Sequence, residues 1–372
     1  MVQMKEAKLS LGALLITCLT LFAGRAQACM VCLPFPEATV ADHLLNAQVV
    51  VLARENPRKP FSYLAVEVLK GDLTEPEIDL FLDTGTRRLL AANPDRSVVL
   101  ALNSAKSPSA RGFWAQGTSA SEPSAGSWRS LNYASPRYEA LVRDILAQAA
   151  RWRESVGRET RATYFFPYLA DTERSIRELA YLEVGRASYQ TIRKADSFVP
   201  SDQLRVFLAD PKYLKWHPLY ILLLGVDAQP EDEKQIRAAM ASLSRLDYTL
   251  NLSAWATALI EIDRQEAIAW LETAYLGDSD REPETVLEIL KALSVQGAGA
   301  SGLRGRILES YGVVIREHPS LAGWVARDLV SWNKWRFADA LEEVRESNVP
   351  MDSASAYMID YYTRQARSRL SH

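Results

Sequence analysis

The chain has 372 residues, 48% of them apolar and 24% charged, with 43 Lys+Arg against 46 Asp+Glu. That balance belongs to a globular protein and excludes bulk disorder and a polytopic membrane protein. The absence of a basic excess argues against a nucleic-acid binder, and three cysteines are too few for a disulfide-stapled scaffold.

The first 28 residues read as a secretory signal peptide. Lys5 and Lys8 give a positive start, residues 9–23 form a short apolar run, and Ala26-Gln27-Ala28 satisfies the small-x-small cleavage rule. A run of 15 residues is shorter than the roughly 20 apolar residues that span a bilayer. Cleavage between Ala28 and Cys29 would leave 40 Lys+Arg against 45 Asp+Glu, a mildly acidic exported protein with no transmembrane span. The expected location is periplasmic or secreted. Lipidation of Cys29 fits less well, because Ala26 and Gln27 occupy the places where a lipoprotein signal carries Leu and a small residue.

Residues 29–135 read as a small β domain. Segments 47–54, 61–70, 77–83 and 96–103 are rich in Val, Leu and Tyr, and Ile78, Leu80 and Leu82 alternate on one face. Asn56-Pro57, Lys70-Gly71-Asp72 and Asn93-Pro94-Asp95 supply turns between them. Four or five short strands imply a barrel or sandwich, with a Ser/Gly-rich loop at 103–128. A linker helix is expected over 136–160.

From residue 161 to 372 the spacing is helical. Ile176, Leu179 and Ala180 share a face. Leu252, Trp255, Ala256 and Leu259 share another, as do Val286, Ile289, Leu290 and Leu293. Pro230, Pro283 and Pro319 mark first turns, and Ser201 and Ser353 read as caps. Helix starts near Arg174, Trp216, Leu250, Pro283, Pro319 and Ser353 recur at intervals typical of helix-pair repeats, which predicts an α-solenoid. The fold class is therefore two-part α+β: a small β-barrel or sandwich followed by an all-α array.

Two family resemblances follow. The stretch 161–372, with runs such as WHPLYILLLG at 216–225 and RQEAIAWLETAY at 264–275, resembles a HEAT-repeat array. Residues 29–103 resemble the netrin-like OB-fold modules that include tissue inhibitors of metalloproteinases. The shared features are Cys29 at the mature N-terminus, Pro34 soon after, Ala41-Asp42 before a Val-rich strand, and Val68-Leu69-Lys70-Gly71 after the next. The resemblance implies that the Cys29 amine and carbonyl could chelate a protease zinc. The spacing here is Cys-x-x-Cys rather than Cys-x-Cys, and no later cysteine follows.

No motif specifies a reaction. Cys29 and Cys32 could form a disulfide or a thiol-redox pair, but prolines at 34 and 36 replace the helix start that activates such a thiol. Gly297, Gly299 and Gly302 match GxGxxG without the preceding strand that a dinucleotide site needs, so they read as a joint between helices. The run Asp278–Glu282 lacks the Gly and Glu of a calcium loop and reads as an acidic helix start. His43, His217, His318 and His372 have no metal-ligand spacing. Trp332, Trp335 and Phe337 could form a surface aromatic patch, although this spacing more often marks core. Arg137, Arg143, Arg151, Arg153, Arg158 and Arg161 make the linker locally basic: a solvated face, or a contact with an anionic envelope surface. The expected activity is non-enzymatic binding or scaffolding of an unidentified envelope protein through the solenoid surface, with no cofactor, no metal and no nucleic acid. Protease inhibition through Cys29 and thiol-redox chemistry through Cys29/Cys32 are the alternatives.

Overall fold

The computed structural model describes residues 31, 38–103, 127–152, 157–299 and 302–370. The signal segment, Ala28, Cys29, Cys32, His372 and nearly all of the 103–128 loop lie outside them. The β region comprises α1 (Val40–Asn46), β1 (Val49–Glu55), β2 (Ser62–Lys70), β3 (Glu77–Phe81), α2 (Thr84–Ala92), β4 (Ser97–Leu102) and β5 (Trp128–Ala134). The helical region runs α3 (Pro136–Ala147), α4 (Ala149–Trp152), α5 (Gly157–Phe165), α6 (Arg174–Gly185), α7 (Tyr189–Ile192) and α8 (Ser201–Ala209). It continues through α9 (His217–Val226), α10 (Pro230–Leu246), α11 (Leu252–Leu271), α12 (Pro283–Ala298), α13 (Arg304–Glu317), α14 (Ala322–Ser331), α15 (Ala338–Glu346) and α16 (Ser353–Leu370). The fold is thus α+β. No helix among the described residues is long and apolar enough to cross a membrane.

The strands form one antiparallel sheet in the order β3-β2-β1-β4-β5, curled so that its two edges, β3 and β5, touch without pairing. The unbroken apolar runs of β1 and β4 are explained by burial on both faces. Val49, Val51 and Ala53 of β1 and Val98 and Leu100 of β4 point inside the half-barrel, against Tyr63, Ile78 and Leu90. Val50, Leu52, Val99 and Ala101 point the other way, into a second core that continues through the whole helical region. Ala41 and Leu44 of α1 and Leu141, Val142 and Ile145 of α3 cover that outer face. Helix α3 therefore packs on the sheet; Pro136 occupies its first turn and Ser135 caps it, accepting from the Tyr138 N–H at 3.0 Å.

Bulges in β2 supply the curl. Val51 pairs with Val68 and Leu52 with Glu67, but Ala53 pairs with Ala65, so Val66 is an extra residue that bends the strand.

Polar groups lock the β region to the helices. Thr39 and Asp42 form a capping box on α1, with Thr39 N–H donating to Asp42 at 3.0 Å and Asp42 N–H to Thr39 Oγ1 at 3.1 Å. Asp42 also holds Arg161 of α5 at 2.8 Å and Arg186 at 2.5 Å. Arg161 reaches Glu183 of α6 at 2.5 Å, and Glu183, whose side chain is 4% exposed, accepts from the Thr39 hydroxyl. Burial acts to raise the Asp42 pKa, but Arg161, the Thr39 N–H and Arg186 outweigh it and hold the carboxyl below its ordinary value of 3.8.

From α9 onward the helices stand in two rows. Helices α9, α11, α12, α14 and α16 lie side by side, and α10, the 272–276 turn, α13 and α15 back them. Helix α9 is central: seven consecutive residues, 219–225, are buried, as expected of a helix with neighbours all round. Small residues bring the first row close. A Cβ on Gly225 would come within 2.8 Å of Ala258 of α11, and one on Gly323 would collide with Ser355 of α16. The helix start expected at Ser353 is observed, but Asp352 is the cap, accepting from Ala354 N–H and Ser355 N–H at 2.9 Å. Ser201 begins α8 behind an N-cap proline and caps nothing.

Two outcomes follow. Gly323→Ala overpacks the α14–α16 crossing and should cost about 1–3 kcal/mol of stability, read by denaturant unfolding. Arg161→Ala leaves the buried Glu183 without its cation, while Asp42 keeps Arg186, and should cost on the order of 3 kcal/mol. Because the folded Asp42 pKa is depressed, its share of that stability is present above pH 3.8 and is lost as the pH falls further.

Candidate functional site

The aromatic group at 332–337 is mostly core. Trp332 is buried and stacks on Tyr311, with centroids 5.4 Å apart and planes within 10°. Trp332 is therefore core, as the spacing favoured, and drops out of the possible surface patch: its ring lies over Gly297, where any Cβ would enter it. The same contact explains the glycine at 297. It sits in the last turn of α12 to admit an indole, so Gly297 is not a phosphate-cradling residue. Trp335 and Phe337 are half-buried; Trp335 stacks on Tyr362 at 5.2 Å and Arg369 lies 4.8 Å from its ring. Both are tied to α16, Trp335 by its stacking on Tyr362 and Phe337 by its N–H donating to the Tyr362 hydroxyl at 3.2 Å.

Beneath Trp332 lies a buried acid. Tyr311 of α13 donates to Asp328 Oδ2 of α14 at 2.6 Å, and both residues are fully enclosed. Asp328 Oδ1 has no hydrogen-bond partner among the described residues, and Arg327 Nε stands 3.6 Å away, beyond bonding distance. Burial raises the Asp328 pKa above its ordinary 3.8, against opposing pulls from Arg327, Tyr311 and Ser294. The cleft outside this pair is lined by Leu290, Lys291, Trp324, Val325 and Arg327 and is too narrow for a water molecule. It offers surface rather than a substrate chamber.

Three of the six linker arginines form ion pairs within the chain. Arg137 pairs with Asp171 at 2.5 Å, Arg143 with Glu67 at 2.6 Å, and Arg161 with Asp42 and Glu183. Arg151 is exposed, and the side chains of Arg153 and Arg158 lie outside the described residues. Asp278 is held by Arg281 in the turn before α12, which starts at Pro283 with Glu284 in its first turn. His43, His217 and His318 sit on separate elements, and no group of three metal-ligating side chains occurs among the described residues.

Two exposed features were not singled out by sequence. The first is the loop between α10 and α11. Leu246 is 75% exposed, Tyr248 56% and Leu250 45%. Positive φ values at Asp247 (49°) and Asn251 (58°) bracket it, and Arg281 pins Asp247 at 2.8 Å. The second is a pair of phenylalanines on the half-barrel, Phe61 and Phe81, with parallel rings 6.1 Å apart. A run of single apolar residues in a loop carries no periodicity, so composition and spacing hide both.

No protein-family model, curated protein or solved structure matches the chain.

The raised Asp328 pKa sets a pH trend. The folded state holds its proton more tightly than the unfolded chain, so ionisation penalises the native protein as the pH rises above 3.8. Asp328→Asn removes that penalty. Its stability relative to wild type should therefore improve from pH 3.5 to pH 7 in thermal unfolding; a pH-independent difference would contradict the assignment.

Proposed function

We propose that the chain is an exported, non-enzymatic binding or scaffold protein of the cell envelope, built as an OB-like half-barrel joined to a HEAT-like α-solenoid. The strand order, the helix α2 between β3 and β4, and the approach of β3 to β5 support an OB-like topology. The two helix rows, with starts at Arg174, His217, Leu252, Pro283 and Ser353, support the solenoid reading. The export reading rests on residues 1–28 alone.

One observation carries the binding role. The helical array fixes three large apolar side chains, Leu246, Tyr248 and Leu250, in solvent within five residues. Contiguous exposed apolar surface on a globular protein marks an interaction site. Tyrosine and leucine on a pinned loop add buried area to a partner at little entropic cost, because the backbone is already set.

The test is site-specific photocrosslinking in the native envelope fraction. A photoreactive residue at Tyr248 should give one discrete heavier adduct. The same residue at Lys234, exposed on α10, should give none. Failure at position 248, or substrate turnover by the protein purified to homogeneity, would overturn the reading.

A further inference from the structure

The loop between α10 and α11 is held from several sides. Tyr248 N–H donates to Leu243 O at 3.2 Å, and Leu252 N–H donates to Thr249 O at 3.0 Å. Asp247 and Asn251 take the left-handed conformation that Asp and Asn adopt more readily than other non-glycine residues. Arg281, in the turn before α12, bonds Asp247 at 2.8 Å, stands 3.4 Å from Asp278 and lies 5.2 Å from the Tyr275 ring centroid. That arginine fastens the 277–284 segment beside the loop that carries Leu246, Tyr248 and Leu250.

The segment it brings there is acidic. Residues 245–251 and 277–284 carry five carboxylates, Asp247, Asp278, Asp280, Glu282 and Glu284, against two guanidiniums, Arg245 and Arg281. Arg281 is spent on Asp247 and Asp278, and Arg245 bonds back to Ala241 O at 3.2 Å. Asp280, Glu282 and Glu284 are exposed and stand without a salt bridge among the described residues.

The neighbours do not restore the balance. Arg316 and Glu317 at the end of α13 pair with each other at 2.9 Å. Ahead of α9, the cations Arg174, Lys212 and Lys215 stand with Glu173, Glu178 and Asp210. The N-termini of α11 and α12 add roughly half a positive charge each, which the three surplus carboxylates outweigh.

Charge and apolar surface together select the occupant. An anionic bilayer or a nucleic acid would be repelled. A second copy docked through a two-fold axis at this patch would set the carboxylates against themselves. We propose that the 246–250 loop and the 277–284 turn together dock a cationic, apolar segment of a partner protein. Its apolar side chains pack on Leu246, Tyr248 and Leu250, and its lysines or arginines meet Asp280, Glu282 and Glu284. Opposite charge speeds encounter and rejects acidic competitors, while the apolar contact supplies affinity. This rests on the reading of the chain as an interaction protein and names the chemistry of the partner.

The probes are the peptides Lys-Leu-Lys-Trp-Lys-Leu-Lys, Glu-Leu-Glu-Trp-Glu-Leu-Glu and Lys-Ser-Lys-Ser-Lys-Ser-Lys, titrated into the isotope-labelled full chain and followed by amide chemical shifts. The first should shift Leu246, Tyr248, Leu250, Asp280 and Glu282, and its affinity should fall as salt is added. The other two should leave these amides in place. Tyr248→Ser alters an exposed side chain and should weaken binding about tenfold or more, the scale of an aromatic hot spot. Asp280→Asn combined with Glu282→Gln should also weaken it and flatten the salt dependence. Phe81→Ser, on the half-barrel, should titrate like wild type. An equal response to all three peptides, no response, salt-independent binding, or wild-type affinity in either loop variant overturns the proposal. A flat titration with the Tyr248 crosslink intact overturns the cationic partner alone and leaves the interaction site standing; loss of that crosslink overturns the broader reading as well.

Discussion

The structure depends on β1 and β4 being buried on both faces. Their odd- and even-numbered side chains divide between two cores, the half-barrel interior and the core that runs on through the helices. A two-sided strand cannot slip its register by one residue without exchanging the two sets, although both are apolar. The polar cluster of Thr39, Asp42, Arg161, Glu183 and Arg186 supplies the specificity that apolar residues lack, since its charges satisfy one another in a single arrangement. The β region and the helical array are therefore one mechanical body. Whatever binds one part meets a surface held rigid by the other.

The same packing logic explains why the cleft beside Asp328 offers surface rather than a deep pocket. Glycine and alanine at the row contacts let helix backbones approach closely, as at Gly225 and Gly323, and Trp332 fills the space above Gly297. Close packing leaves the cleft by Asp328 too narrow for water. Among the described residues, exposed large apolar side chains stand on the 246–250 loop and at the Phe61–Phe81 pair. Both hold side chains outward by backbone constraint, through positive φ values and guanidinium anchors. Pre-set geometry of this kind reduces the entropy lost on association.

Much of the architecture was legible in the sequence. Strands β1 to β4 announce themselves by β-branched runs between turn residues, the starts of α10 and α12 fall at the prolines that mark them, and α6 and α16 start at the recurrence markers Arg174 and Ser353. Helix α1 was passed over although Thr39-x-x-Asp42 is a capping-box pattern, because seven residues are too few for helical periodicity to emerge. Helix α2, with mean composition near neutral, and β5, whose Trp-Arg-Ser-Leu-Asn-Tyr-Ala run shows no clean alternation, were hidden for related reasons. The candidate site was less legible. The spacing of Trp332 already favoured core over a surface patch, but the glycine beneath it is seen only in space. Phe61 looked like the start of a strand, and only its φ reveals the strained turn. Tertiary contacts, which one sequence does not display, decide both.

Native-state hydrogen exchange on β1 tests the claim of a single body most directly. If the two cores share one cooperative unit, the amides of Val50, Val51 and Leu52 should exchange with the same opening free energy, and the same denaturant dependence, as those of Leu222 and Leu223 in α9. A β1 that opens at markedly lower free energy, while α9 stays protected, would show two independent units and contradict the account.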